Sequence, residues 1–188
     1  HMISEGTHKI DLIVANTDLQ VLNLSKAPKK IQLGIELTRG LGAGMRPDIG
    51  RDSALENYQE IKDSLDDSDI VFIAAGLGGG TGTGAAAIIA KAAKEIGALT
   101  VAVVTKPFKW EGKKRTGLAN LGLEEIKKVT DSIIIIPNDR LRHIVEESIG
   151  MKDAFKVVDD VLYQAVNGMS EVILKPGSDD INVDFADV

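Results

Sequence analysis

Short apolar runs of four to six residues alternate along this chain with longer stretches in which apolar positions recur every three or four residues. The short runs predict strands and the longer stretches predict helices. The run at 133–136 is apolar at every position, which is typical of a buried parallel strand. Regular alternation of the two patterns indicates an α/β protein with a largely parallel sheet. We expect strands at 12–15, 31–34, 70–73, 99–104 and 133–136.

The helical stretches lie between and after these strands. Helices are expected at 53–65, at 118–129 and at 153–174. A further helix is expected directly after the glycine run that follows the third strand. A Pro-Asn-Asp sequence at 137–139 should end the last strand and begin a short helix. The long final helix carries an apolar stripe that indicates packing on the core. The stripe consists of Ala154, Val157, Val158, Val161, Leu162, Ala165, Met169 and Ile173.

The glycine run at 76–84 lies where the third strand should turn into an alanine-rich helix. Glycine permits positive φ and lets a ligand approach the backbone without meeting a Cβ. A helix start adds free N–H groups and the positive end of the helix dipole. The run therefore predicts a phosphate-binding turn. The hydroxyls of Thr81 and Thr83 could donate to phosphate oxygens or help to hold a metal.

Two common phosphate loops fit this turn poorly. A Walker loop needs Lys followed by Ser or Thr after its last glycine, and here Ala85 and Ala86 follow Gly84. A dinucleotide loop is matched loosely by 80–85, but it also needs an acidic residue about 20 positions further on. The next strand ends in Thr-Lys-Pro instead. A nicotinamide-dependent oxidoreductase and a tight turn without a ligand remain alternatives.

Composition narrows the class of protein. The 188 residues suffice for one domain, and the absence of cysteine excludes disulfides and thiolate metal sites. A net charge of −6 argues against sequence-independent binding of nucleic acid. No apolar run approaches the roughly 20 residues of a membrane helix, and the first residues lack the character of a signal peptide. We expect a cytoplasmic protein without direct membrane insertion, in which His1 and Met2 are a cloning remnant.

Six motifs in unbroken order resemble those of the tubulin/FtsZ family of GTPases, and within it those of the bacterial cell-division members. The resemblance implies a Rossmann-like, three-layer parallel sheet that ends in a long central helix and an acidic loop. It also implies binding and hydrolysis of GTP, GDP as product, Mg²⁺ with the GTP, and head-to-tail self-assembly into filaments of the midcell division ring. The motifs lie at 16–18, 40–44, 78–84, 107–115, 137–141 and 182–188.

On the phosphate side, the resemblance assigns contacts residue by residue. Ala43 and Gly44 would sense the γ-phosphate. Asn16 and Asp18 lie at a strand end, where an α/β sheet binds its ligands, and Asp18 is a candidate for the phosphate–Mg²⁺ side. No residue is assigned as a direct metal ligand. The residues of the glycine turn that would surround the phosphates are Gly78, Gly79, Gly80, Thr81, Gly82, Thr83 and Gly84.

On the nucleoside side, Glu111 and Arg115 resemble the pair that holds the ribose and the phosphates. Asn138 would lie at the ribose or base end, although an Asn after a strand can equally cap a helix. Phe155 would stack on guanine, and Asp159 would accept hydrogen bonds from its N1–H and exocyclic amine. These two residues are four apart and share one helix face. Judged from sequence alone, Phe155 would more often be a core residue.

Asn182, Asp184 and Asp187 carry the predicted hydrolytic chemistry. By resemblance, the acidic loop of one subunit completes the GTP site of the next and orients water for in-line attack. Head-to-tail stacking of this kind is a heterologous contact, which produces open filaments. Without the resemblance, these residues would be interpreted as an acidic surface turn.

The chain also departs from the family pattern. Family members begin with a strand, a second glycine-rich loop and a helix, which are not found here, and that strand belongs in the middle of the sheet. We expect a central gap with two ladders of unpaired backbone groups. The expected division is 1–2 remnant, 3–174 truncated GTP-binding domain and 175–188 acidic loop before an absent second domain.

The departures bear on activity and on partners. We expect the chain alone to bind nucleotide poorly, and we expect division proteins and membrane tethers to bind the absent C-terminal part. A non-catalytic assembly fragment and a plasmid-segregation GTPase of the same fold are the alternatives.

Overall fold

The computed structural model describes residues 10–141 and 150–174. The strands are β1 Ile13–Asn16, β2 Lys29–Gln32, β3 Ile70–Gly76, β4 Leu99–Lys106 and β5 Ser132–Pro137. The helices are α1 Leu19–Leu24, α2 Ile35–Thr38, α3 Pro47–Glu56, α4 Tyr58–Leu65, α5 Thr81–Glu95, α6 Lys113–Lys127, α7 Asn138–Leu141 and α8 Met151–Leu174, with a 3-10 turn at Lys109–Glu111. Within the described ranges, no helix is long and apolar enough to cross a bilayer.

The strands form two separate parallel sheets. β1 pairs with β2, from Ile13 opposite Lys29 to Asn16 opposite Gln32. The second sheet has the order β3–β4–β5, with Ile70 opposite Leu99. Thr17, directly after β1, contacts Thr81 at the start of the helix that follows β3, so we infer that β1 and β3 are the facing edges. In the part of the chain that is described, no strand pairs between them, which confirms the expected gap.

Helices cover both faces of the larger sheet, which confirms the α/β class with three layers. Alternate residues of a strand point to opposite faces. One set packs under α5 and α6 in the main core, and the other set packs under α8. The first set is Val71, Ile73, Ala102, Val104, Ile133 and Ile135; the second is Phe72, Val103, Ile134 and Ile136. The α8 stripe from Ala154 to Met169 packs as predicted, whereas Ile173 lies outside the described side chains.

Several predicted boundaries were wrong, for local reasons. The helix expected at 53–65 is two helices that meet at Asn57, whose Oδ1 accepts the N–H of Gly34 and whose Nδ2 donates to Glu60. α6 begins at Lys113 rather than 118, because Gly112 at φ +99 makes the turn before it. The short helix α1 was not predicted; the Asp18 carboxylate caps it.

Candidate functional site

The glycine turn joins β3 to α5 through conformations that require glycine. Gly78 has φ +107, and a Cβ on Gly82 would lie 2.2 Å from the Gly76 carbonyl oxygen. The backbone N–H of Gly78 donates to Thr83 Oγ1 at 2.8 Å, so the Thr83 hydroxyl braces the turn from inside. A Cβ on Gly79 would meet nothing within 4 Å. The turn is therefore packed on its inner side and open at Gly79.

The start of α5 offers donors to an anion. Gly80 is its N-cap residue and makes no side-chain cap. The amides of the first helical turn have no partner further back in the helix, so they can bind phosphate oxygens. The loop that contains Ala43 and Gly44 lies against this point, since a Cβ on Gly80 would come within 2.6 Å of the Gly44 oxygen and 2.8 Å of the Ala43 oxygen. The structure thus brings together the two segments assigned to the phosphates.

The strand end at 16–18 is fixed mainly by its own hydrogen bonds. Asn16 Oδ1 accepts the N–H of Asp18 at 3.0 Å. Asp18 Oδ1 accepts the N–H groups of Gln20 and Val21, at 2.9 and 3.1 Å, and so caps α1. The Thr17 carbonyl accepts from Gly42 N–H, which ties the loop at 40–44 to β1. Asp18 therefore has a structural role as the cap of α1, and its role on the phosphate–Mg²⁺ side stays a prediction.

Thr17 was missed by the sequence analysis. It is fully buried, and its Oγ1 lies 2.6 Å from Thr81 Oγ1. Its position between Asn16 and Asp18 at a strand end could have indicated it, because neighbouring side chains of a strand point to opposite faces. Thr17 links the smaller sheet to the helix that begins at the glycine turn.

Glu111 and Arg115 form an ion pair beside the turn. Glu111 is buried; its Oε1 accepts the Phe108 N–H at 2.8 Å and its Oε2 accepts from the Arg115 guanidinium. The Arg115 carbonyl oxygen would lie 3.0 Å from a Cβ on Gly78, so the first turn of α6 packs on the glycine turn. The Arg115 side chain, which is 41% exposed, projects from this first turn of α6.

The predicted base end combines an amide, aromatic rings and a carboxylate. Asn138 is only 4% exposed, and its Oδ1 has no hydrogen-bond partner among the described residues. A buried amide oxygen without a partner costs about 1–3 kcal/mol, so it is suited to accept from a ligand. Phe155 is exposed rather than core and lies edge-on to Phe108. Partial burial, more than the neighbouring Asp160, raises the pKa of Asp159 above its usual value.

The predicted catalytic residues Asn182, Asp184 and Asp187 lie outside the described residues. Their placement at the site stays a prediction.

A parallel α/β fold with an uncapped, glycine-rich helix start at the carboxyl edge of its sheet is the arrangement of a nucleotide-binding protein. The family model described as Tubulin/FtsZ family, GTPase domain, matches residues 3–146. The chain belongs to the tubulin/FtsZ family.

Solved structures agree with this assignment. An empty FtsZ dimer from M. jannaschii is 52% identical, with a TM-score of 0.92, over 98% of this chain and 53% of that one. The chain thus spans about half the length of that relative. CetZ2 from Haloferax volcanii, in a GTPγS-bound protofilament, shares the fold at 21% identity and a TM-score of 0.77, over 85% of this chain and 48% of that one.

Proposed function

We propose that this chain supplies the nucleotide site of a GTP-hydrolysing protein that assembles head-to-tail into filaments. The observation that carries the proposal is the uncapped start of α5, with the loop of Ala43 and Gly44 packed against it and Arg115 close by. These groups offer backbone donors and positive charge to a polyphosphate. The family membership supports GTP as the nucleotide.

The side chains at the predicted base end of the site favour guanine as the base. A carboxylate can accept from both N–H donors of guanine, and the buried Asn138 oxygen, which has no hydrogen-bond partner among the described residues, is a further candidate acceptor. The raised pKa of Asp159 means that its carboxylate protonates at a higher pH than an ordinary aspartate. Guanine affinity should therefore weaken as the pH falls towards that pKa.

Mg²⁺ would accompany GTP and neutralise phosphate charge. The described part of the chain contains no group of three His, Asp or Glu side chains that could hold a metal alone. We expect the ion to be held chiefly by substrate phosphates and water, as Mg²⁺ usually is at nucleotide sites.

Assembly would complete the hydrolytic site with Asn182, Asp184 and Asp187 of a neighbouring subunit. The exposed side chain of Leu41 belongs to the loop at 40–44, and that of Leu19 lies next to this loop, so burial against a second copy would remove apolar surface from water. We further propose that the whole protein acts in the cytoplasm at the midcell ring, with division proteins and membrane tethers bound outside this chain.

Isothermal titration calorimetry tests the proposal. The full-length protein should bind GDP, and GTP with Mg²⁺, at micromolar or tighter affinity, while ADP and NADH bind at least about tenfold more weakly, a difference of about 1.4 kcal/mol. The 188-residue chain should bind GDP more weakly, because the gap between β1 and β3 leaves the site incomplete.

Asp159→Asn provides the matched test of base recognition. An amide presents one acceptor and one donor to the two guanine donors, so GDP affinity should fall about tenfold or more. Asp153→Asn, on the same helix but paired with Lys156, is the control and should leave affinity unchanged. Guanine recognition through Asp159 would be contradicted if the full-length protein bound GDP and ADP equally well. It would also be contradicted if Asp159→Asn and Asp153→Asn bound GDP with the same affinity.

A further inference from the structure

Three aromatic rings form a cluster at the carboxyl end of β4. The rings of Phe108 and Trp110 are stacked, with centroids 5.1 Å apart and planes 16° apart. The ring of Phe155 on α8 meets both of them edge-on, with centroid distances of 5.8 and 6.0 Å. Phe108 is buried, whereas Trp110 is 47% exposed and Phe155 is 37% exposed. Two aromatic rings therefore reach the surface in a fixed right-angled arrangement.

The backbone around Trp110 is held on both sides. The Phe108 N–H donates to Glu111, and Glu111 is paired with Arg115. The Lys109 N–H donates to Asp139 Oδ1 at 3.1 Å, which ties the 3-10 turn to α7 next to Asn138. The position of the Trp110 ring is thus set by the residues that flank the proposed nucleotide site.

Phe155 lies in the second turn of α8, and its side chain is partly exposed. Its exposed side chain could adopt other staggered rotamers if its neighbours were removed. The edge-on contacts with Trp110 and Phe108 select one orientation, which is a favoured geometry for aromatic pairs. Of the two supporting rings, Phe108 is locked in the core cluster under α8, so the exposed Trp110 is the one that can be replaced without opening the core.

We propose that Trp110 is a positioning residue that fixes the Phe155 ring as the stacking surface for the purine base. The proposal rests on the proposed function, since it needs a nucleotide base at Phe155. Loss of the Trp110 ring leaves the phosphate contacts intact but allows Phe155 to rotate away. The effect should appear in binding of the base and not in binding of the phosphates.

The test measures GDP and inorganic pyrophosphate binding to the full-length protein by calorimetry. Trp110→Leu should weaken GDP binding about 3- to 10-fold, the range expected for one aromatic pair, and leave pyrophosphate binding unchanged. Trp110→Phe, which keeps a ring edge, should recover most of the loss. Leu121→Ala, which removes an exposed apolar side chain elsewhere, is the control and should bind GDP as the wild type does.

Two further measurements separate positioning from a general structural effect. The double variant Trp110→Leu/Phe155→Leu should bind GDP no more weakly than Phe155→Leu alone, because Trp110 acts through Phe155. In the full-length protein, the part of the tryptophan emission that is lost in Trp110→Leu should be the part that changes on addition of GDP and not of pyrophosphate. If Trp110→Leu does not fold, Trp110→His takes its place, with an expected loss of at least about threefold.

The outcomes distinguish the two proposals. A wild-type protein that binds no GDP overturns the proposed function. A wild type that binds GDP, together with a folded Trp110→Leu or Trp110→His that binds it equally well, overturns the positioning role alone. Equal weakening of GDP and pyrophosphate binding also overturns it, because the variant then disturbs the whole site.

Discussion

At the scale of single residues, the contact between Thr17 and Thr81 connects two parts of the molecule that do not share a sheet. Thr17 directly follows β1, and Thr81 begins α5 beyond β3. Their hydroxyl oxygens lie 2.6 Å apart, and Thr17 has no exposed surface. A buried hydroxyl that loses its partner costs free energy, so this pair should contribute measurably to stability.

Thr17→Val should lower the free energy of unfolding of the chain by about 1 kcal/mol, because valine keeps the shape of threonine but cannot hydrogen-bond. Denaturant unfolding monitored by circular dichroism measures the change. Thr17→Ser should retain more of the stability, and a double-mutant cycle with Thr81→Val should show coupling of about 0.5 kcal/mol or more. Additive effects in the cycle would show that the hydroxyl pair contributes nothing.

The residues of the candidate site could be predicted where their chemistry and their order along the chain identify them. They were harder to predict where their role depends on how the chain packs. The turn at 78–84 needs glycine at several points, and the structure shows why at Gly78 and Gly82. The burial of Glu111 depends on how the loop folds over it, which a charged residue in a basic segment does not indicate. Thr17 was overlooked because a threonine near a strand is common without any ligand nearby.

At the scale of elements, α3 and α5 cross at a distance that only glycine permits. A Cβ on Gly84 would lie 2.1 Å from the Pro47 carbonyl oxygen and 2.5 Å from the Arg51 nitrogen. A Cβ on Gly50 would lie 2.2 Å from the Gly80 oxygen. Because these neighbours are backbone atoms, a larger side chain would have to push the helices apart. The glycine turn is therefore held from behind by α3.

Gly84→Ala should destabilise the chain by about 1–3 kcal/mol or more through overpacking at this crossing. Gly117→Ala is the matched control, since it lies inside α6 with nothing within 4 Å of its Cβ position. At position 117 the same substitution should raise the free energy of unfolding by up to about 1 kcal/mol, because alanine has a higher helix propensity than glycine. Thermal unfolding of both variants checks the opposite signs; a shift in the same direction for both would refute the packing argument.

The elements themselves were predicted best where the apolar pattern was strongest. β3, β4 and β5 carry strongly apolar runs and were placed within a few residues. α1 and α2 are only six and four residues long, too short to show a helical period. The early start of α6 was hidden because its first three residues are all basic and show no apolar periodicity.

At the scale of the whole molecule, the stability of the smaller sheet depends more on packing against the core than on pairing between strands. Among the described residues, β1 and β2 pair only with each other, whereas β4 is paired on both sides and is fully buried from Val101 to Val104. A two-stranded sheet is marginal without support. Ile13 and Ala15 pack on the main core, which joins the two sheets in one hydrophobic cluster.

Hydrogen exchange followed by mass spectrometry should reveal this difference. Amides in Ile13–Asn16 should exchange about tenfold or more faster than those in Ser132–Pro137, which corresponds to about 1.4 kcal/mol less opening free energy. β5 is the proper comparison, because in the part of the chain that the structure describes it also pairs with a single strand, but it belongs to the larger sheet. Equal protection of β1 and β5 would show that the smaller sheet opens only with the whole molecule.

The gap between β1 and β3 also suggests a use for the chain as one half of a split reporter. The two ladders that border the gap can pair with an extended strand supplied on a separate polypeptide, as in strand-addition complexes. Capture of such a strand would protect β1 from exchange and strengthen nucleotide binding together. Fusing the complementary strand to a second protein would then convert an association event into a change in Trp110 emission.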